Sequence, residues 1–194
     1  KSYHFDGKKF DKDLLNDLDS SNKLLISIPP KNQTDIVLKV FDAIFKKNKF
    51  NWLTYLSATS VYGDKKGEWV DEETNPEPTS DRGIARLNVE SHWLKYYKDF
   101  NLPVQIFRLS GIYSIENNVI ERLKAGTLKI VEKDNHFFSR IHVEDIAKIL
   151  TLSLKKFIPG QIFNISDDYP CSNEEIAQYA ANLMKIKISE KIKL

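Results

Sequence analysis

The sequence is poor in the residues that build covalent and metal-bound frameworks. It contains a single cysteine, Cys171, which excludes a disulfide or a multi-cysteine metal site within these 194 residues. So little cysteine is typical of a reducing compartment, and we predict a cytoplasmic location. The four histidines are scattered along the chain, so we expect no metal site built on them. No apolar run reaches the roughly 20 residues that a membrane-spanning helix needs, and we predict no membrane partner.

Motifs for binding phosphate and nucleic acid are also absent. The chain has seven glycines, and none has the G-x-G-x-x-G spacing with which a dinucleotide-binding turn cradles phosphate. P-loop and H-E-x-x-H motifs are missing as well. Lysines and acidic residues are interspersed and the net charge is only +2, so no basic face points to nucleic acid. These residues therefore lack a phosphate-binding turn, and we predict no nucleic-acid partner.

Hydrophobic periodicity predicts that strands and helices alternate along the chain. Apolar runs bounded by turn residues predict strands at 23–28, 51–57, 103–109 and 161–166, and helical periodicity predicts helices at 33–47, 82–99 and 144–157. This alternation is typical of an α/β fold with a doubly wound parallel sheet, whose strands have their carboxyl ends at one edge. The first strand is too apolar for an open sheet edge. We therefore expect the first units of the sheet to be missing from these residues.

The stretch from Asn51 to Glu90 carries the features most informative about function. A buried strand ends in small hydroxyl residues, a polar loop over 64–81 follows, and the next helix begins with two arginines. A loop of this length in a compact domain is usually functional or disordered. Arg82, Arg86 and Glu90 are four residues apart and share one helix face. They form either a solvent-exposed ladder of charges or an anion clamp near the helix N-terminus, and the position opposite the strand end favours the clamp.

Six motifs occur in an order that resembles one protein family. They are Ser57-Ala-Thr-Ser-Val-Tyr-Gly63, Pro76-Glu-Pro78, Arg86-Leu-Asn-Val-Glu90, Phe107-Arg-Leu-Ser-Gly-Ile-Tyr113, Arg140-Ile-His-Val-Glu-Asp145 and Ile162-Phe-Asn-Ile-Ser166. Over residues 23–184 the chain resembles the NAD-dependent epimerase/dehydratase family, the extended and atypical short-chain dehydrogenases/reductases. The resemblance implies a Rossmann-like, NAD(P)-binding fold with a small C-terminal lobe. It also implies a Gly-rich first strand-turn-helix in front of the present residues.

The catalytic residues of that family are replaced in this chain. The family has Ser or Thr at the position of Ala58, and Tyr-x-x-x-Lys at the positions of Arg82 and Arg86. Arginine stays protonated at neutral pH and cannot accept a proton from a substrate hydroxyl. Any proton transfer must therefore use another group. The candidates for this role are Tyr113, Tyr62 and His142. The alternatives are packing for the two tyrosines and a structural hydrogen bond for the histidine.

The resemblance also implies the ligands and the residues that contact them. The cofactor is expected to be NAD or NADP, and the substrate a nucleotide sugar or a similar anionic small molecule. Cofactor contacts are expected from Pro29, Pro30, Ser57, Ala58, Thr59, Arg86, Leu109, Ser110 and Gly111. Substrate contacts are expected from Arg82, Trp69 and Arg140. For the prolines and the hydroxyl residues, plain turn chemistry explains the sequence equally well.

Three functional hypotheses remain open from the sequence. The first is an enzyme of the epimerase/dehydratase type with altered catalytic residues. The second is a non-catalytic cofactor-binding sensor or interaction module. The third is that residues 1–194 alone cannot hold a cofactor.

The resemblance also suggests a domain division and a quaternary structure. We expect a dinucleotide-binding domain over 1–112 plus 143–172, and a small substrate lobe over 113–142 plus 173–194. We also expect a homodimer through the helices at 33–47 and 82–99, because relatives pair through these helices. The aromatic residues available for such a contact are Tyr96, Tyr97 and Phe100.

Overall fold

A computed structural model describes residues 1–47, 49–132, 135–186 and 191–193 of the chain. The helices in these residues are α1 (Lys12–Ser20), α2 (Ile36–Lys46), α3 (Asp81–Phe100), α4 (Val119–Lys124), α5 (Val143–Ser153) and α6 (Asn173–Met184), with a 3₁₀-helix at Thr59–Tyr62. The strands are β1 (Lys23–Ile26), β2 (Trp52–Ala58), β3 (Val104–Leu109), β4 (Gly111–Tyr113), β5 (Ile130–Glu132), β6 (Phe137–Phe138), β7 (Arg140–His142), β8 (Ile162–Ile165), β9 (Cys171–Ser172) and β10 (Lys191–Lys193). None of the helices described combines the length and the apolar character that crossing a membrane requires.

A four-stranded sheet lies at the centre of the fold, with its strands in the order β1-β2-β3-β8. All three pairings are parallel, so the strands have their carboxyl ends at the same edge. Helices α2 and α3 contribute to the hydrophobic cluster on one face, while α5 packs on the other through Ile146. The predicted α/β fold with a parallel sheet covered on both faces is therefore confirmed.

The face covered by α2 and α3 holds an aromatic core centred on Trp93. The indole is fully buried, and its ring centroid lies 5.1 Å from that of Phe45 and 6.2 Å from that of Tyr55. Phe5 and Phe10 of the N-terminal segment contact Phe41 of α2. Large aromatic side chains dominate the energetics of such cores. This packing fixes α3 against β2 and thereby positions the N-terminal turns of α3.

The observed element ends differ from the predicted ones where proline intervenes. Strand β1 ends at Ile26, two residues before the predicted end, because the approach to Pro29-Pro30 removes backbone donors and restricts the chain. Helix α5 ends at Ser153 because the chain turns towards Pro159 and Gly160, whose φ is +80°. Outside the central sheet, α6 contacts α4 and β5. The division into two domains stays a prediction.

Asp35 joins helix α2 to the aromatic core. One carboxylate oxygen accepts hydrogen bonds from the backbone N–H groups of Val37 (2.7 Å) and Leu38 (3.1 Å), which caps α2. The other oxygen accepts a bond of 2.8 Å from Trp93 Nε1. The side chain is buried, and this burial raises the pKa of the carboxyl above its usual value.

The raised pKa of Asp35 predicts how stability depends on pH. Because the fold binds this proton more tightly than the unfolded chain, the contribution of Asp35 is full below the unfolded pKa of about 3.9 and falls as pH rises through the folded pKa. We expect Asp35→Asn to remove this dependence. Urea unfolding of both proteins at several pH values from about 4 upwards measures it. A constant difference in unfolding free energy across that range would contradict the prediction.

Candidate functional site

Small polar residues lie at the carboxyl edge of the central sheet. Ser57 is the second-last residue of β2, and Ser110 directly follows β3. Their side chains are only 3% and 4% exposed, and neither hydroxyl has a hydrogen-bond partner among the residues that the structure describes. A buried polar group without a partner costs roughly 1–3 kcal/mol. Two such groups at one sheet edge indicate a place where a ligand can supply the missing bonds.

The other predicted cofactor contacts flank these two serines. Ala58 and Thr59 are half-buried at the junction of β2 and the 3₁₀-helix. Leu109 is buried in the cluster on the α5 face, so only its backbone is available at the edge. Gly111 is exposed, and a Cβ added there would meet nothing closer than 3.4 Å, the carbonyl oxygen of Ser139. A side chain at this position would therefore fit only in van der Waals contact with its neighbours, and the glycine leaves its backbone uncovered at the edge.

The two prolines that follow β1 contribute little side-chain surface to this edge. Pro29 is exposed and Pro30 is half-buried. The loop continues through Asn32 and Gln33, which have φ values of +48° and +60°. Gln33 is held to α3, because its side-chain oxygen accepts a bond of 3.3 Å from Asn88 Nδ2. The loop after β1 is thus fastened to the helix that carries the two arginines.

The two arginines of α3 do not converge on one point. Arg86 is half-buried, and its Nη1 donates a hydrogen bond of 2.6 Å to the carbonyl oxygen of Leu56 in β2. Its charge also lowers the pKa of the nearby Tyr55 phenol, although burial raises that pKa more. Arg82 is exposed on the first turn of the helix. The predicted anion clamp therefore has one arginine at the sheet edge and one in solvent.

Glu90 belongs to a buried network and not to a surface ladder. The structure pairs it with Arg108 of β3, whose Nη2 donates a bond of 2.8 Å to Glu90 Oε2. The two side chains are only 2% and 3% exposed. The ladder hypothesis is wrong for this residue, because helix spacing showed only its neighbours on α3, whereas the packing of α3 on β3 supplies the partner.

Tyr62 lies within the same network. Its hydroxyl accepts a hydrogen bond from Arg108 Nη1 (2.8 Å) and donates one to Asn164 Oδ1 (2.8 Å). The Arg108 guanidinium also stacks over the Tyr62 ring, 4.8 Å from its centroid. The side chain is buried. Because its proton is donated to Asn164 and its side chain is buried, Tyr62 is not placed to exchange a proton with a ligand.

The other two candidates for proton transfer, Tyr113 and His142, lie side by side. They are register partners in the parallel pair β4–β7, and their ring centroids are 5.0 Å apart. The Tyr113 hydroxyl donates a hydrogen bond of 3.1 Å to Oδ2 of Asp167, just beyond the carboxyl end of β8. Nδ1 of His142 accepts a long bond of 3.4 Å from the Glu144 N–H at the start of α5. All three side chains are half-buried, so a ligand can reach them.

The long loop is fastened to the sheet while Trp69 stays outside. Lys65 and Glu77 form an ion pair of 2.7 Å across the loop, and a carboxylate oxygen of Glu72 accepts a bond of 2.6 Å from the Asn164 N–H. The second bond covers a backbone donor of β8, which lies at the edge of the sheet. Trp69 is 79% exposed. The structure places no described residue over the Trp69 ring.

Arg140 is engaged within the protein. Its Nη1 donates to the carbonyl oxygens of Phe138 (3.0 Å) and Cys171 (3.3 Å), and its Nη2 donates to Asn173 Oδ1 (3.2 Å). These bonds join β7 to β9 and the start of α6. A substrate contact by Arg140 would therefore share a guanidinium that already holds three elements together.

Sequence reasoning missed Asp167 and Arg108. Asp167 stands in an Asp-Asp pair directly after Ser166 at the end of a predicted strand, a signal that could have marked it as an edge residue. Arg108 gave a weaker signal, a charged residue inside an apolar strand. Among the described residues, no group of three or more His, Cys, Asp or Glu side chains is arranged to hold a metal ion.

Comparison with known proteins shows which family and which relatives this chain resembles. The model of the NAD dependent epimerase/dehydratase family matches residues 30–166. The chain is 24% identical over 159 residues to dTDP-D-glucose 4,6-dehydratase of Dictyostelium discoideum, covering 71% of this chain and 36% of that protein. It is 29% identical over 181 residues to Protein YeeZ of Escherichia coli K12, covering 88% of this chain and 62% of that protein. The chain thus spans between about a third and two thirds of these relatives.

Solved structures show the same fold. A functionally unknown conserved protein from Silicibacter pomeroyi superposes with a TM-score of 0.84 and 39% identity, over 91% of this chain and 62% of that one. UDP-glucuronic acid 4-epimerase from Bacillus cereus, solved in complex with NAD, gives a TM-score of 0.81 and 20% identity, over 94% of this chain and 66% of that one. At 20% identity the second likeness concerns the fold alone.

Proposed function

Because the chain belongs to the NAD-dependent epimerase/dehydratase family, we propose that it binds NAD or NADP at the carboxyl edge of the central sheet. We further propose that it acts on a nucleotide sugar or a similar anionic small molecule. The observation that carries the cofactor proposal is the pair of buried, unpartnered hydroxyls of Ser57 and Ser110. A dinucleotide has many hydroxyl and amide groups that can complete these bonds.

The residues at the edge suit the nicotinamide half of such a cofactor. Ser57 and Ser110 would bond it, and Gly111 would let it approach the backbone closely. Thr59 and the backbone of Pro29-Pro30 flank the same edge, as does Arg86. The bound nicotinamide would supply hydride exchange, while these residues hold and orient it.

Two observations favour a site with altered chemistry over the usual triad. Ala58 has no hydroxyl, and the Arg86 guanidinium donates to a strand carbonyl. Neither Arg86 nor the exposed Arg82 can accept a proton at neutral pH. The same two observations support the second candidate function, a non-catalytic cofactor-binding sensor. Turnover of UDP-glucuronic acid or dTDP-glucose with NAD would favour the enzyme, and saturable NADH binding without turnover of either would favour the sensor.

Replacing the orphaned hydroxyls tests cofactor binding. We expect Ser57→Ala and Ser110→Ala each to weaken NADH binding about fivefold, because each removes a hydrogen bond of roughly 1 kcal/mol. We also expect each change to leave unfolding free energy the same or to raise it by about 1 kcal/mol, since the unliganded protein loses an unsatisfied buried group. NADH fluorescence titration and urea unfolding measure the two effects.

Ser153→Ala is the matched control for stability. Its hydroxyl is also buried, but it accepts a bond of 3.1 Å from Trp52 Nε1 and donates one of 2.8 Å to the Leu150 carbonyl. We expect this change to lower unfolding free energy by about 1–2 kcal/mol and to leave NADH affinity unaltered. Unchanged affinity in both edge variants would refute the assignment of the serines. Failure of the unaltered chain to bind NADH would favour the third hypothesis, that residues 1–194 alone cannot hold a cofactor.

The homodimer and the cytoplasmic location stay predictions. The aromatic residues expected at the dimer contact are used within the chain. The Tyr96 hydroxyl donates to Asp42 of α2, Phe100 packs on Tyr96, and the Tyr97 ring lies against Gly160. Burial and the Asp42 carboxylate raise the pKa of Tyr96 to about 12. A dimer through α2 and α3 would therefore use their polar outer faces, and sedimentation equilibrium would detect it.

A further inference from the structure

We propose that Tyr113 and Asp167 form a proton relay, with His142 beside it, and that this relay takes the place of the missing Tyr-x-x-x-Lys pair. The inference rests on the proposed function and names the groups that would move the proton. It starts from the contact between the Tyr113 hydroxyl and Asp167 Oδ2 at 3.1 Å. A phenol donating to a carboxylate keeps its oxygen lone pairs free to accept a bond from a ligand.

The backbone holds this pair at the edge where the cofactor is proposed to bind. Tyr113 is three residues beyond Ser110, whose N–H donates a bond of 3.0 Å to the Ile165 carbonyl of β8. The Asp167 N–H donates a bond of 2.6 Å to the Arg140 carbonyl of β7, two residues before His142. Backbone bonds therefore fix both ends of the relay, and the register of β4 and β7 fixes the imidazole beside the phenol.

The relay moves one proton in two linked transfers. A ligand hydroxyl bonded to Tyr113 Oη gives its proton to Oη as the original phenol proton passes to Asp167 Oδ2. The ligand O–H and the first phenol O–H bonds break, and a new phenol O–H and a carboxyl O–H bond form. A bound nicotinamide would supply the hydride acceptor that balances this proton transfer, so that the alcohol would become a ketone. In the reverse direction Asp167 returns the proton through Tyr113.

The surroundings of Tyr113 explain why a relay is needed. Burial and the Asp167 and Asp145 carboxylates raise the pKa of the phenol, so it stays protonated at neutral pH. It cannot act as a free phenolate and must pass its own proton on. The charged and titratable groups around it are Asp167 after β8, His142 on β7, and Asp145 on α5, which is paired with Lys148 at 2.8 Å. No cation in this set takes the place of the family's lysine.

Tyrosine labelled with ¹³C at Cζ tests the relay without requiring turnover. We expect the Tyr113 signal, assigned by Tyr113→Phe, to move in Asp167→Asn, because this change removes the carboxylate that accepts the phenol proton. We also expect it to move in His142→Asn, which removes the ring beside the phenol and keeps a residue able to cap α5. With NAD present, UDP-glucuronic acid should shift the Tyr113 signal. Tyr169, whose hydroxyl donates to Glu175 at 3.0 Å outside the edge, is the matched phenol–carboxylate control and should not respond to the sugar nucleotide.

Steady-state kinetics of the variants separate a role of Tyr113 in proton transfer from a purely structural role. We expect Tyr113→Phe to lower kcat by 10²- to 10⁴-fold with little change in KM, and Tyr169→Phe to alter neither. A Tyr113 signal that responds neither to Asp167→Asn nor to the sugar nucleotide, in a protein that still binds NADH, overturns the relay and leaves the proposed cofactor site intact. Failure of the unaltered protein to bind NADH instead refutes the proposed function for residues 1–194, as the third hypothesis expects. If no turnover is seen, a Tyr113 signal that shifts on addition of the sugar nucleotide supports the relay, and one that does not shift contradicts it.

Discussion

Breaking the buried ion pair of Arg108 and Glu90 is expected to cost about 3–5 kcal/mol of unfolding free energy. Both side chains are nearly inaccessible to water in the intact protein. Either Glu90→Leu or Arg108→Met therefore leaves one charge buried without its partner. Arg108 donates three hydrogen bonds to the two carboxylate oxygens and a fourth to Tyr62. Glu90→Leu therefore deprives Nε and Nη2 of these acceptors and leaves only the bond from Nη1 to Tyr62. Urea unfolding of the single variants measures the loss.

The double variant separates the ion pair from ordinary packing loss. Because a buried pair replaced by apolar side chains of similar volume is often neutral, we expect Glu90→Leu with Arg108→Met to lose less than either single change. The coupling energy of this cycle should exceed about 2 kcal/mol. Lys95 and Asp99 provide the exposed control, an i,i+4 pair at 2.5 Å whose side chains are 68% and 41% exposed. Asp99→Asn should change unfolding free energy by under about 0.5 kcal/mol, and simple additivity of the buried changes would contradict the prediction.

The network also bears on the proposed cofactor edge. Arg108 is the register partner of Ser57, so the ion pair is centred beside one of the orphaned hydroxyls. Through Tyr62 and Asn164 it connects α3, β3 and the 3₁₀-helix to β8. A loss of this network should therefore loosen α3, the 3₁₀-helix and the ends of β3 and β8 together.

Gly63→Ala is expected to have the second largest effect on the fold. Gly63 adopts φ of +73° and ψ of −155°, a backbone conformation that is essentially restricted to glycine. A Cβ at this position would lie 2.0 Å from the carbonyl oxygen of Glu77, which is backbone and cannot turn away as a side chain can. The loop over 64–80 would have to move off the 3₁₀-helix. We expect a loss of about 3 kcal/mol or more, with faster cleavage within the loop in limited proteolysis.

Gly126→Ala is the control that shares the positive φ without the clash. Its φ is +65°, and a Cβ there would meet no atom within 4 Å. It should therefore cost only the backbone strain of a left-handed residue, about 1–2 kcal/mol, and leave the proteolysis of the loop unchanged. Equal losses in the two variants would show that the approach of Glu77 to Gly63 does not constrain the loop.

Local sequence was sufficient to predict the central elements of this fold. The apolar runs and the helical spacing placed the four central strands and the helices between them within a few residues, because side chains that must be buried recur with the period of their element. In the structure Asp35 and Ser172 cap α2 and α6, a preference for these residue types at helix starts that depends on local sequence alone.

The candidate site was predicted only in part, because its contacts join residues far apart in the chain. Spacing along α3 placed Arg82, Arg86 and Glu90 on one helix, yet it could not tell that Glu90 turns to Arg108 or that Arg82 faces solvent. Tyr113 was singled out by its position near a strand end, and His142 by its position just before a helix. Their ring contact follows from the register of β4 and β7.

The sequence by itself determined the alternation of strands and helices and the resemblance to the family, and it led to the prediction that the usual acid–base residues are replaced, since each depends on residue types at fixed local spacing. The tertiary structure decided which polar groups are buried, which of them lack a partner, and which distant side chains meet. From the sequence alone, the hydroxyls of Ser57 and Ser110 could equally well be exposed in a turn. Asp167 is 54 residues from Tyr113, so no local pattern links the two. Strand register and the packing of helices on the sheet bring these groups to one edge, and no local pattern encodes that geometry.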